Sequence, residues 1–117
     1  MGFTAEELNG EIRELNSKIL EPIRIDRGRR YGSSEDTLAN VRGADPEGSW
    51  RGAYTSAVEC MNRLKNYYFT KTCEMSPEQI KDFENACEDL VNYSFYIWIL
   101  FNQKLDCKCR GDNGPPD

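Results

Sequence analysis

The chain has 117 residues, 38% of them hydrophobic and 30% charged, which fits one soluble domain and leaves no room for a second core. Its net charge of −5 and pI near 4.8 exclude general nucleic-acid binding, which relies on a basic footprint to displace counterions. The absence of histidine removes the commonest general base and zinc ligand, so any catalysis has to run on carboxylates, amines or thiols.

From the N-terminus, Thr4 followed by Glu7 forms a capping box, and Leu8, Ile12, Leu15 and Ile19 recur at spacings of four and three, the pattern of an amphipathic helix. Glu6 and Glu7 arrive with no apolar stretch behind a basic one, so no secretory signal is expected and the chain is read as cytoplasmic. Pro22 is expected to stop or kink this helix, with Ile23 to Arg30 resuming as a short helical piece. That piece carries Arg24, Arg27, Arg29 and Arg30 against the single acid Asp26, an island of positive charge in an acidic protein. Such an island is either a solvated face paired with nearby acids or a grip for a phosphorylated ligand. Ser33, Ser34 and Asp36 are cap candidates for a short linking helix through Val41, and Gly43 to Gly48 reads as a loop.

Two long helices follow. Trp50, Tyr54, Ala57, Met61, Leu64 and Tyr68 predict one buried seam, and Ile80, Phe83, Cys87, Leu90, Ser94, Ile97 and Phe101 predict another. Ser76, Pro77 and Gln79 supply a cap, a first-turn proline and a capping-box partner for the second. A helix from Pro77 to Lys104 would span roughly 42 Å. From Phe95 to Phe101 the apolar stripe widens to the whole circumference yet is far too short to span a membrane, which takes about 18 or more residues. A helix apolar all round needs cover all round. The expected fold is therefore all-α: an antiparallel helical bundle with two long helices, a kinked N-terminal helix and a short linking helix, completed by homo-oligomerisation. This single domain covers residues 1–105, and residues 106–117, with Gly111, Gly114, Pro115 and Pro116, are expected to form a flexible tail.

Five cysteines at irregular spacing favour reduced thiols over a disulfide framework, and Cys107 and Cys109 make only half a zinc site. Walker, dinucleotide, paired CxxC and EF-hand motifs are all missing. What remains is carboxylates on helices. Glu84, Glu88 and Asn92 share a face at spacings of four, with Asp89 beside them, and the carboxylates are placed to project toward Glu59 and hold magnesium. The competing reading is a solvated face, because acids in the first turns of a helix meet its dipole favourably without a metal. Arg51 and Arg63 are expected to be exposed.

Arg29-Arg30-Tyr31-Gly32-Ser33-Ser34-Glu35-Asp36-Thr37-Leu38-Ala39-Asn40-Val41 resembles the opening of small phage and bacterial MazG-like proteins, relatives of the all-α nucleoside triphosphate pyrophosphohydrolases. Met61-Asn62-Arg63-Leu64-Lys65 and the segment from Glu88 to Tyr96 resemble the two helices that follow in that family. The resemblance covers about residues 12–100 and implies a helical bundle that assembles as dimers or tetramers. Hydrolytic members carry an ExxE pair and an ExxD-type pair that bind magnesium at the triphosphate. Here Glu59 is followed three positions later by Asn62, and Asn92 takes the place of the later aspartate; asparagine brings no charge to a divalent-ion site. The resemblance thus implies a nucleotide pocket at Arg27, Arg30, Tyr31 and Lys65 without catalytic residues or cofactor. The main expectation is a phage-type protein that binds a nucleotide or nucleotide-derived signal, linear or cyclic, without hydrolysing it, in the cytoplasm of an infected bacterium. One alternative is a magnesium-dependent pyrophosphohydrolase using Glu59, Glu84, Glu88 and Asp89. Another is an acidic phage inhibitor that acts on a host defence complex by protein–protein contact through Phe95 to Phe101.

Overall fold

The computed structural model describes residues 2–31, 38–45 and 47–109, and among them all regular structure is helical. In chain order these are α1 (Ala5–Leu15), a π turn (Asn16–Leu20), α2 (Glu21–Tyr31), α3 (Ala39–Gly43), α4 (Arg51–Lys65), a 3₁₀ turn (Thr72–Glu74) and α5 (Pro77–Cys109). The chain is an all-α helical bundle in which α4 packs along α5, while the α1–α2 rod touches α5 at the π turn and through Arg24 and Arg27 of α2. None of the described helices is long and apolar enough to cross a membrane.

The capping boxes form as the sequence requires. Thr4 Oγ1 accepts from the Glu7 N–H at 3.1 Å while the Glu7 carboxylate accepts from the Thr4 N–H at 3.2 Å. Ser76 and Gln79 repeat the exchange at the start of α5, at 3.2 and 2.9 Å. The break expected at Pro22 takes another form. Helical backbone runs on from Ala5 to Tyr31, and the irregularity is the π turn just before the proline, where the Glu21 N–H reaches back five residues to the Asn16 carbonyl. The wider turn makes room where a proline ring would press on the carbonyl four residues back. The linking helix is shorter than expected, Ala39–Gly43, and its proposed caps Ser33, Ser34 and Asp36 lie outside the described residues. At the other end α5 continues to Cys109, past residue 105, for 33 residues and about 50 Å; residues 110–117 lie outside the description, as do the side chains of Cys107 and Cys109.

The expected seams pack only in part: Ala57 is buried and Trp50, Leu64, Cys87, Leu90 and Ile97 are half-buried, while the rest face outward. On α4 the buried residues are Gly52, Ala53, Ala57 and Cys60, whereas Tyr54, Met61 and, just beyond the helix, Tyr68 are exposed. On α5, Ala86 and Leu100 are buried and Asp82, Asp89, Tyr93 and Tyr96 half-buried along the same stripe, whereas Ile80, Phe83, Ser94 and Phe101 face solvent. Small side chains explain the choice, because they let the helix axes approach closely. At Gly52, α4 comes close to α3: a Cβ there would stand 2.4 Å from the Val41 carbonyl oxygen. One chain therefore closes on small and charged residues and leaves much of its large apolar surface uncovered.

Candidate functional site

Three helices meet at a chain of guanidinium and carboxylate groups. The α2 face carries Arg24 and Arg27 one turn apart, α4 contributes Arg63 near its end, and α5 presents Asp82, Asp89 and Asn92 on the stripe that packs. Asp89 is shared: Arg27 donates to one oxygen and Arg63 approaches the other at 3.4 Å. Arg63 also donates to Asp82 Oδ1 at 2.8 Å, and the Tyr67 hydroxyl donates to Asp82 Oδ2 at 2.7 Å. One turn along α5, Arg24 donates to the buried Asn92 at 2.9 Å and to Asn16 in the π turn at 3.2 Å, with its guanidinium 5.5 Å from the Phe95 ring centroid. The π turn thus swings Asn16 to the same arginine that holds Asn92, tying the rod to α5.

Titration follows from these contacts. The hydrogen bonds from Arg63 and then Tyr67 hold the Asp82 carboxyl below the ordinary range, and the same Asp82 contact raises the Tyr67 phenol. Burial, with Asp89 and Glu84 adding like charge, raises the Glu88 carboxyl. Burial also raises the thiols of Cys60 and Cys87, so neither is an activated nucleophile.

The structure separates the residues that the sequence groups together. Arg27 and Arg30 both border an open surface patch on α2, with Pro22, Ile23 and Asp26. Arg27 also reaches inward to Asp89, while Arg30 pairs with Asp26 one turn back at 3.1 Å with both side chains exposed. The Tyr31 side chain lies outside the described residues. Lys65 is exposed at the end of α4 and takes no part in the junction; Arg63, two residues earlier, takes that place, which corrects the expectation that Arg63 is exposed. Arg51 is half exposed and pairs with Glu47. Glu59 and Glu84 are exposed, Glu88 is half-buried, and Asp89 faces guanidinium groups. Among the described residues no three His, Cys, Asp or Glu side chains converge on a point that would hold a metal ion. Arg24, Arg63, Asp82 and Tyr67 are the junction residues that sequence reasoning missed. Their signal was Asp82, Ala86, Asp89 and Tyr93 at spacings of four and three, a stripe masked by the more apolar one beside it.

No family model, curated protein or solved structure matches this chain.

Proposed function

We propose that this chain is a homo-oligomeric helical protein that binds a phosphate-bearing small molecule of nucleotide class and does not hydrolyse it. The observation that carries this reading is the double occupation of Asp89 by Arg27 and Arg63. A magnesium-dependent site needs clustered, unneutralised carboxylates for the ion, and here guanidinium groups stand against the acid. Arg27 is part exposed, and Arg30 is exposed with its Nε on Asp26; both border the open patch on α2, where an oxyanion that guanidinium forks suit can approach. The MazG-like resemblance around Arg29 to Val41 supports the nucleotide class, and with it a phage role in which the protein withholds a nucleotide signal or serves nucleotide metabolism in the bacterial cytoplasm. Assembly is supported by the uncovered apolar residues of α1, α4 and α5.

Calorimetric titration of linear and cyclic nucleotides into wild type and Arg30→Ala tests the binding. The expected result is saturable heat that weakens roughly ten- to a hundredfold in the variant, the loss of one charge-assisted hydrogen bond. The melting temperature should not change, because an exposed pair such as Arg30–Asp26 contributes little to folding. No heat across the panel overturns the reading. It would promote the inhibitor alternative, which the exposure of Trp98, Ile99 and Phe101 favours, with a foreign protein as their cover. Pyrophosphate release with magnesium that disappears on Glu88→Gln would promote the hydrolase.

A further inference from the structure

Arg24 differs from the other guanidinium groups of the junction in what holds it. Arg27 and Arg63 donate to carboxylates, whereas the acceptors of Arg24 are the neutral amide oxygens of Asn92 and Asn16, at 2.9 and 3.2 Å. Among the described residues it pairs with no carboxylate, so its charge is left uncompensated inside the junction. Both amides engage the same nitrogen, Nη1. The N–H groups on Nε and Nη2 form the other edge of a guanidinium, the one that takes two oxygens of a phosphate or carboxylate side by side. On Arg24 that edge has no acceptor within the chain, and it reaches solvent, since no buried side-chain nitrogen or oxygen among the described residues lacks a hydrogen bond. The Phe95 ring, with its centroid 5.5 Å from the guanidinium carbon, helps to fix the plane of the group.

Tyr96 brings a second free donor to the same place. It follows Asn92 by one turn of α5 and so shares the face turned to α2. Its hydroxyl has no hydrogen-bond partner among the described residues. Burial raises its phenol above the ordinary value, so the proton stays on, and Arg24 is the charge that acts on it most.

We propose that Arg24 is an oxyanion grip: Asn16 and Asn92 hold its guanidinium by one nitrogen, and the Nε–Nη2 edge takes two oxygens of a phosphoryl group, with the Tyr96 hydroxyl as a further donor to that group. Neutral acceptors are what such a grip needs. An aspartate at 92 would neutralise Arg24 as Asp89 does Arg27, whereas Asn92 orients the fork and leaves its charge for the ligand. A fork fixed beforehand also spares the ligand the ordering of a long side chain. Arg30, by contrast, is exposed and has its Nε on Asp26. The π turn gains a role here, because it is what brings Asn16 to Arg24.

The grip deepens the phosphate-binding reading above and rests on it, and the experiment tells the two apart. Inorganic pyrophosphate and the linear and cyclic nucleotides are titrated calorimetrically into wild type, Asn92→Asp, Tyr96→Phe, Ser94→Asp and Arg30→Ala, with a thermal melt of each as the check on folding. Asn92→Asp gives Arg24 a carboxylate of its own and should weaken binding at least about tenfold. Ser94→Asp adds the same charge at an exposed position two residues on and should change affinity less than about threefold. Tyr96→Phe alters no charge and should weaken binding about three- to tenfold, the loss of one hydrogen bond; it decides the matter alone if Asn92→Asp does not fold. Wild type that binds none of these probes overturns the phosphate-binding reading and the grip together. Binding that Arg30→Ala weakens and both Asn92→Asp and Tyr96→Phe leave unchanged overturns the grip alone, as does an equal loss in Asn92→Asp and Ser94→Asp. A loss in Asn92→Asp with Tyr96→Phe silent leaves the grip to Arg24 and removes the tyrosine from it.

Discussion

Asp45 anchors the entry to α4. Its carboxylate accepts from the N–H groups of Glu47, Ser49 and Arg51 and from the Ser49 hydroxyl, at 2.7 to 3.2 Å. It does so from a loop in which Gly48 takes the left-handed conformation at φ 66°. These donors, the Ser49 hydroxyl first, bring the Asp45 pKa down to about 2. An unfolded aspartate titrates near 3.9, so the native state binds this proton more weakly. The stabilisation is fully present above about pH 4 and is lost as pH falls through 2. Asp45→Ala should therefore lower the melting temperature at pH 7, and the gap to wild type should narrow between pH 4 and pH 2 in thermal scans. A gap that stays constant down to pH 2 would contradict this. Asp45-Pro46 is recognisable in the sequence as a turn, but the reach of its carboxylate to Arg51 is not, because that depends on a loop path that no local pattern encodes. The glycines give a second comparison at this scale. Gly10→Ala adds a methyl in open space to a helix and should stabilise by about 0.5 to 1 kcal/mol. Gly52→Ala drives a methyl into the Val41 carbonyl and should destabilise by about 1 to 3 kcal/mol. Urea unfolding of the two variants reads both signs.

At the scale of elements, the helical type and the capped starts at Thr4 and Ser76 are legible, whereas the other helix ends and the packed faces are not. Capping boxes at Thr4–Glu7 and Ser76–Gln79 are local chemistry within four residues, and both form. The face a helix buries is a competition between stripes decided by its neighbour. On α4 the larger residues Tyr54 and Met61 lose to Ala53 and Cys60, and of their seam only the small Ala57 is buried, because α5 comes close only over small side chains. The same competition hides the junction, since Asp82 and Asp89 look like solvated acids until Arg27 and Arg63 are brought against them. Asp89 joins all three helices, so Asp89→Ala should destabilise the fold by about 1 to 3 kcal/mol by leaving Arg27 without its acceptor and Arg63 with Asp82 alone. Glu84→Ala, at an exposed acid of the same helix, should stay within about 0.5 kcal/mol of wild type. Equal effects of the two substitutions in urea titrations would remove the junction from the account of stability.

For the molecule as a whole, the predicted seams and the packed seams divide the surface between them. The apolar residues that periodicity selects on α1, α4 and α5 are largely exposed, and the interior is built from small residues and ion pairs. Periodicity therefore marked where apolar surface is concentrated without saying whether its cover comes from the same chain. The Arg27–Arg30 face lies on α2, apart from the exposed apolar residues of α1. Native mass spectrometry of the purified chain with a nucleoside triphosphate and magnesium reads assembly, binding and chemistry in one spectrum. The account predicts whole multiples of the 13.5 kDa chain carrying intact triphosphate; a bare 13.5 kDa monomer, or turnover of the triphosphate to monophosphate, would contradict it.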